Sequence, residues 1–129
     1  MKVAFATDDE KVINSHFGKC ELFIIYDITP EKYSWYTTRY IANENDDDEY
    51  GRIDKRVDAM SDCSLVFITQ IGPTAAAKVT KKKIMPIKVE SGTEIVQQLD
   101  RLLLMLQNKP PLWLAKIMNQ ESKNQEEVI

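Results

Sequence analysis

The chain carries a single histidine, His16, four residues before one of its two cysteines in the run Asn14-Ser15-His16-Phe17-Gly18-Lys19-Cys20. Imidazole nitrogen and thiol sulfur are donors that suit transition metals. In an extended segment, residues two and four apart share a side, so His16, Gly18 and Cys20 are expected to face one pocket. Gly18 would let backbone approach a bulky ligand, and the Phe17 ring would limit water around it. Cys63, just ahead of a strand-like run, is a third donor. Each has a plainer reading: a loop histidine commonly only hydrogen-bonds, and free cysteines are often inert and buried. Asp8, Asp9 and Asp27 form a rival set, since carboxylate oxygens suit Mg²⁺ in phosphoryl transfer. Asp8 and Asp9 are adjacent, however, and point to opposite faces if extended.

The loop around His16 lies between two apolar runs of strand length, Lys2 to Thr7 and Leu22 to Ile28. Tyr33 to Ile41, rich in aromatic and β-branched residues, predicts a third strand, joined to the second by a turn at Thr29-Pro30-Glu31-Lys32. Ile53, Val57 and Met60 recur at helical spacing, predicting a helix from about Tyr50 to Ser61, with the acidic stretch Asp46 to Glu49 favourable at its N-terminus. From Asp62 strand and helix alternate, as in a parallel or mixed sheet covered by helices. Ser64 to Thr69 reads as a buried strand, and Gln70 to Thr74 as a turn into a helix with Pro73 at its first position. Lys81, Lys82 and Lys83 suit that helix's C-terminal dipole and equally an anion site. Amides after Gly72 at the helix start would likewise stabilise an anionic ligand.

Ile84 to Val89 contains Pro86 and is expected at a sheet edge. Ser91-Gly92-Thr93-Glu94 fits a capping box for a helix whose stripe is Ile95, Leu99, Leu102, Leu103 and Leu106, ended by Asn108-Lys109-Pro110-Pro111. These elements predict one α/β domain over 1–108. Residues 109–129 form a C-terminal extension, with Trp113 and Ile117 docking back and a partly mobile polar tail from Asn119.

With 129 residues, 43% of them hydrophobic, the chain has material for one core. A net charge of -3, from 17 basic and 20 acidic side chains, argues against an electrostatic nucleic-acid binder. No apolar stretch approaches the ~18 residues of a spanning helix, and no signal sequence opens the chain, so a cytoplasmic protein with reduced cysteines is expected.

In their order, several of these pieces resemble the nitrogenase iron-molybdenum-cofactor-binding accessory proteins, most closely the NifX-like members. They are Lys2-Val3-Ala4-Phe5-Ala6-Thr7, Ser15-His16-Phe17-Gly18 with Phe23-Ile24-Ile25-Tyr26, Asp62-Cys63, Ile71-Gly72-Pro73-Thr74-Ala75-Ala76-Ala77 and Pro110-Pro111-Leu112-Trp113-Leu114. The resemblance implies a single three-layer α/β domain with a mixed five-stranded sheet of ribonuclease-H-like topology. It also implies a non-catalytic carrier that receives an iron-sulfur precursor of the iron-molybdenum cofactor from a cluster-synthesising protein and passes it to the assembly scaffold. His16, Cys20 and Cys63 are then the candidate metal ligands, and Ser15, His16, Phe17, Gly18 and Gly72 the candidate cofactor contacts. Two alternatives stand beside it: a metal-free protein-interaction module anchored by Trp113, and a Mg²⁺-dependent phosphoryl-transfer enzyme using the three aspartates.

Overall fold

The structure, a computed structural model, describes the backbone of residues 1–44 and 48–127 and the side chains of those up to residue 121. The elements in chain order are β1 (Lys2–Ala6), β2 (Val12–Ile13), β3 (Leu22–Ile28), β4 (Tyr33–Tyr40) and α1 (Glu49–Ala59). They continue with β5 (Leu65–Ile68), α2 (Pro73–Lys81), β6 (Met85–Lys88), β7 (Thr93–Glu94), α3 (Ile95–Gln107) and α4 (Leu112–Glu127). Five strands form a mixed sheet in the order β4-β3-β1-β5-β6, while β2 and β7 make a separate two-stranded ladder. β1 is central, antiparallel to β3 and parallel to β5.

Strand alternation divides the core in two. From β1, Ala4 and Ala6 face a cluster completed by Ile53 and Val57 of α1 and Ala75 and Val79 of α2. Val3 and Phe5 face the other way, onto Ile95, Leu99, Leu102 and Leu106 of α3 and Leu114 of α4. Helices therefore cover both faces of the sheet, which explains why its central strands are continuously apolar. The Asp48 side chain caps α1 by accepting from the Gly51 amide at 2.7 Å; the rest of the expected acidic lead-in, Asp46 and Asp47, lies outside the described residues. Pro73 opens α2 as expected. Pro86 sits on edge strand β6, where a missing amide hydrogen costs no ladder bond.

Two expectations need correction. Ser91-Gly92-Thr93-Glu94 is not a capping box: Thr93 and Glu94 pair with Ile13 and Val12, and α3 begins without a side-chain cap. The Ile95 amide instead donates to the Lys11 carbonyl at 3.0 Å, so the ladder satisfies the donor that a cap would have taken. Nor does the polar stretch from Asn119 start a separate tail, because α4 runs on to Glu127. Glu121 ties it down, accepting from the Ser64 hydroxyl at 2.7 Å and lying 3.6 Å from the Met1 ammonium. The docking face of this helix is led by Leu114, fully buried, with Trp113 and Ile117 packed alongside.

Candidate functional site

The segment from Thr7 to Glu21 crosses the C-terminal end of β1 and is held along its whole length. At its start the Thr7 hydroxyl accepts from the Asp9 and Glu10 amides, and Asp9 Oδ1 accepts from the Lys11 and Val12 amides. Those bonds hold the Asp9 carboxyl below the usual carboxylate range, the Val12 amide first. The β2–β7 ladder clips the middle to the entry of α3. Next, the Thr69 amide donates to the Ser15 carbonyl at 3.1 Å and the Phe17 amide to the Gln70 carbonyl at 2.9 Å, so His16 forms a parallel bridge with Gln70 beyond the end of β5.

After His16 the chain does not stay extended. The Lys19 and Cys20 amides both donate to the His16 carbonyl, at 3.3 and 3.0 Å, closing a turn. The expectation that His16 and Cys20 share a pocket holds, but the turn brings them together rather than strand alternation. Both line a cleft of about 470 Å³ with Thr7, Asp8, Ser15, Lys19, Glu21, Leu22 and Tyr40. On its other flank, His16 joins Asn14, Thr69, Gln70, Lys88, Val89, Glu90 and Ser91 around a second cleft of about 500 Å³. The imidazole is exposed at the ridge between them while its backbone is clamped.

The other predicted site residues take different places. The Phe17 ring is fully buried, 5.9 Å edge-on from Phe23, so it anchors the turn in the core instead of shielding a ligand. Ser15 lines the first cleft and donates its hydroxyl to Asn14 Oδ1 at 3.1 Å. Gly18 has nothing within 4 Å of where a Cβ would stand, and the same is true of Gly72, the exposed N-cap of α2. Neither glycine is demanded by crowding within the fold. Gly72 lies two residues after Gln70, near the ridge but outside both clefts.

Both cysteines are free and buried. The Cys20 thiol donates to the Leu22 carbonyl at 2.8 Å, and burial pushes its pKa up. Cys63 belongs to the same core but to neither His16 cleft. Burial, followed by the neighbouring Asp62 charge, pushes its thiol up to about 12. Thiolate is the form that binds metal, so burial opposes metal binding at both cysteines. Among the described residues no three His, Cys, Asp or Glu side chains group around a metal position. A cluster held here would take one or two protein bonds and rely on its own sulfides for the rest.

Sequence reasoning missed the support behind the turn. Arg56 of α1 is fully buried, and its Nε donates to the Cys20 carbonyl at 2.9 Å, Nη1 to the Arg52 carbonyl at 3.0 Å and Nη2 to Asn43 Oδ1 at 2.5 Å. Asn43 Nδ2 in turn donates to the Lys19 carbonyl and to Glu21 Oε1, both at 3.1 Å. A guanidinium thus holds the carbonyl side of the turn whose other end is held by Gln70. One signal was available: Arg56 lies three residues after Ile53 and next to Val57, on the apolar stripe of its helix.

The three aspartates do not converge. Asp8 accepts from Asn14 Nδ2, Asp9 organises its own loop, and Asp27 sits 3.2 Å from the Met1 ammonium. The register pairs Asp27 with Lys2 and Phe23 with Ala6, which puts Asp27 at the opposite end of β1 from Asp8, roughly 20 Å away at ~3.4 Å per residue. That separation removes the Mg²⁺ site from consideration. No helix among the described residues is long and apolar enough to cross a membrane.

Comparison with known proteins places this geometry among relatives. Residues 1–104 match the family described as dinitrogenase iron-molybdenum cofactor. The chain is 35% identical over 128 residues to the protein NifX of Sinorhizobium fredii, covering 93% of this chain and 79% of that one. It is 32% identical over 130 residues to NifX of Herbaspirillum seropedicae, covering 100% of this chain and 87% of the other. Among solved structures, the crystal structure of PH0822 superposes with a TM-score of 0.64 at 22% identity, covering 80% of this chain and 88% of that one, a likeness of fold.

Proposed function

The chain belongs to the dinitrogenase iron-molybdenum cofactor family as a NifX-like member, and we propose that it is a non-catalytic carrier in the biosynthesis of that cofactor. Its cargo is an iron-sulfur precursor of the iron-molybdenum cofactor, taken up at the His16 ridge from a cluster-synthesising protein and released to the cofactor assembly scaffold in the cytoplasm. One observation carries this reading: the only imidazole is solvent-exposed between two clefts while its backbone is locked to β5. A carrier needs an anchor that is accessible, pre-positioned and few-toothed, since each further ligand slows release. Cys20, in the wall of the first cleft, is the second anchor once its thiol proton leaves. The order β4-β3-β1-β5-β6, an antiparallel meander followed by two parallel strands, supports a ribonuclease-H-like topology.

The test is anaerobic incubation with isolated cofactor precursor, gel filtration, and iron analysis of wild type, His16→Ala, Cys20→Ala and Cys63→Ala. Iron retained by wild type and by Cys63→Ala, and lost with His16→Ala, is the expected pattern. Full retention by His16→Ala would refute the imidazole anchor, and failure of the loaded protein to donate its cluster to a scaffold would refute the carrier role.

A further inference from the structure

At the start of β6, sharing no lining residue with either His16 cleft, an apolar groove of about 670 Å³ runs between the end of α2, β6 and one face of α4. Buried Ile84 and half-buried Pro86, Trp113 and Ile117 line it, and the exposed side chains of Met85 and Leu112 stand at its mouth. Among the described residues, its only charged lining residues are Lys83 and Lys116. Neither side-chain ammonium has a hydrogen-bond or ion-pair partner among the described residues, whereas nearby Lys78 is paired with Asp54. In a chain of net charge -3 this is a local reversal of sign.

Lys83 adds a second observation. It follows the C-cap of α2, where the Ile84 amide donates to the Val79 carbonyl and the Lys83 amide to the Thr80 carbonyl, and its φ is 62°. That left-handed position is one at which glycine is the ordinary choice. The helix dipole accounts for Lys78 and Lys81 in the last turn. The dipole gives no reason for a lysine rather than a glycine at a left-handed position, and this lysine is one of the residues that line the groove.

We propose that this corner docks an acidic segment of another protein that carries apolar side chains at helical spacing. The apolar floor would take the anchors, and Lys83 and Lys116 would pair with carboxylates on the rim. Strand addition is disfavoured. The Met85 and Val89 amides point inward to Ser64 and Ile68 of the β5 segment, which puts Pro86, without an amide hydrogen, on the outer edge of β6. The occupant therefore packs by side chains. This inference stands whether or not His16 binds a cluster.

The probe is a short synthetic helical peptide with leucines at i, i+3 and i+7 and glutamates between them, compared with the same peptide bearing lysines. Indole NMR signals report the site: Trp113 lines the groove, while exposed Trp35 on β4, at the opposite sheet edge, is the internal control. The acidic peptide should shift Trp113 and leave Trp35 unmoved, binding at least about tenfold more tightly than the basic one at low salt and losing most of that margin at high salt. Lys116→Glu should weaken binding about tenfold, twice the effect of removing one rim charge. Lys83→Gly should weaken binding about threefold while the melting temperature holds or rises, because glycine relieves the left-handed strain. That combination separates docking from folding. Equal binding of the two peptides, or an unmoved Trp113, would overturn the proposal. So would Trp113 shifts that depend on protein concentration alone, which would assign the groove to a second copy of the chain.

Discussion

Arg56→Met is the sharpest test of how the His16 turn is held. The substitution keeps most of the side-chain volume but strips a donor from the buried Cys20 carbonyl and another from the part-buried Asn43 Oδ1. An acceptor stranded by loss of its partner costs about 1–3 kcal/mol. Asn43 Oδ1 and the Arg52 carbonyl, both only part-buried, count for less. Removing the cation also removes its own desolvation penalty, which offsets part of the loss. A net loss of about 2 kcal/mol follows. For 129 residues, an unfolding entropy of about 2.1 cal/mol/K per residue converts this to a fall in Tm of about 7 °C. Arg56→Lys keeps the charge but not the three-way fork, and should fall about half as far. Calorimetry gives the global number. Hydrogen exchange at the Lys19 and Cys20 amides, which bond to the His16 carbonyl, gives the local one, and both should lose protection. A Tm shift under about 3 °C with both amides still protected would show that the guanidinium does not organise the turn.

Three further outcomes are expected. With its thiol pushed up to about 12, native Cys63 should present roughly one thiolate in a thousand at pH 9 and resist alkylation by iodoacetamide until the protein unfolds; labelling at the rate of a free thiol would contradict its burial. Asp62, held below the usual carboxylate range first by its hydrogen bonds to Arg39, contributes stability that is complete above the unfolded carboxylate pKa and is lost as pH falls through its lower folded value. Asp62→Asn should lower the melting temperature at neutral pH and flatten the acid limb, and melting curves that run parallel at all pH values would count against this. Leu114→Ala, which empties a fully buried site under α4, should cost about 2–4 kcal/mol by urea unfolding; a loss below about 1 kcal/mol would mean that α4 is not docked.

Much of the frame was legible because its residues act locally. Nearly continuous apolar runs marked β1, β3 and β5, since strands buried on both faces leave little polar alternation. Pro73 marked the start of α2 and Pro86 an edge strand, because proline's missing amide hydrogen restricts both to places where no bond is lost. The capping box failed because its residues found ladder partners eighty positions away in Val12 and Ile13, a competition that four local residues do not reveal. The polar stretch after Asn119 failed in the same way: Glu121 looks like solvent-facing charge until Ser64 and the Met1 ammonium are brought beside it.

The site divides along the same line. Residue type and spacing alone determined that one imidazole and one thiol lie four residues apart in a loop between strands and are candidate donors, because those properties belong to the side chains themselves. Tertiary structure decided what surrounds each of them. It exposed His16, sank Phe17 into the core, and buried both thiols where desolvation opposes the metal-binding form. It also placed a buried guanidinium from α1 behind the turn and carried Asp27 to the far end of the sheet. Accessibility, protonation and convergence depend on what surrounds a group, and those surroundings come from segments distant in the chain.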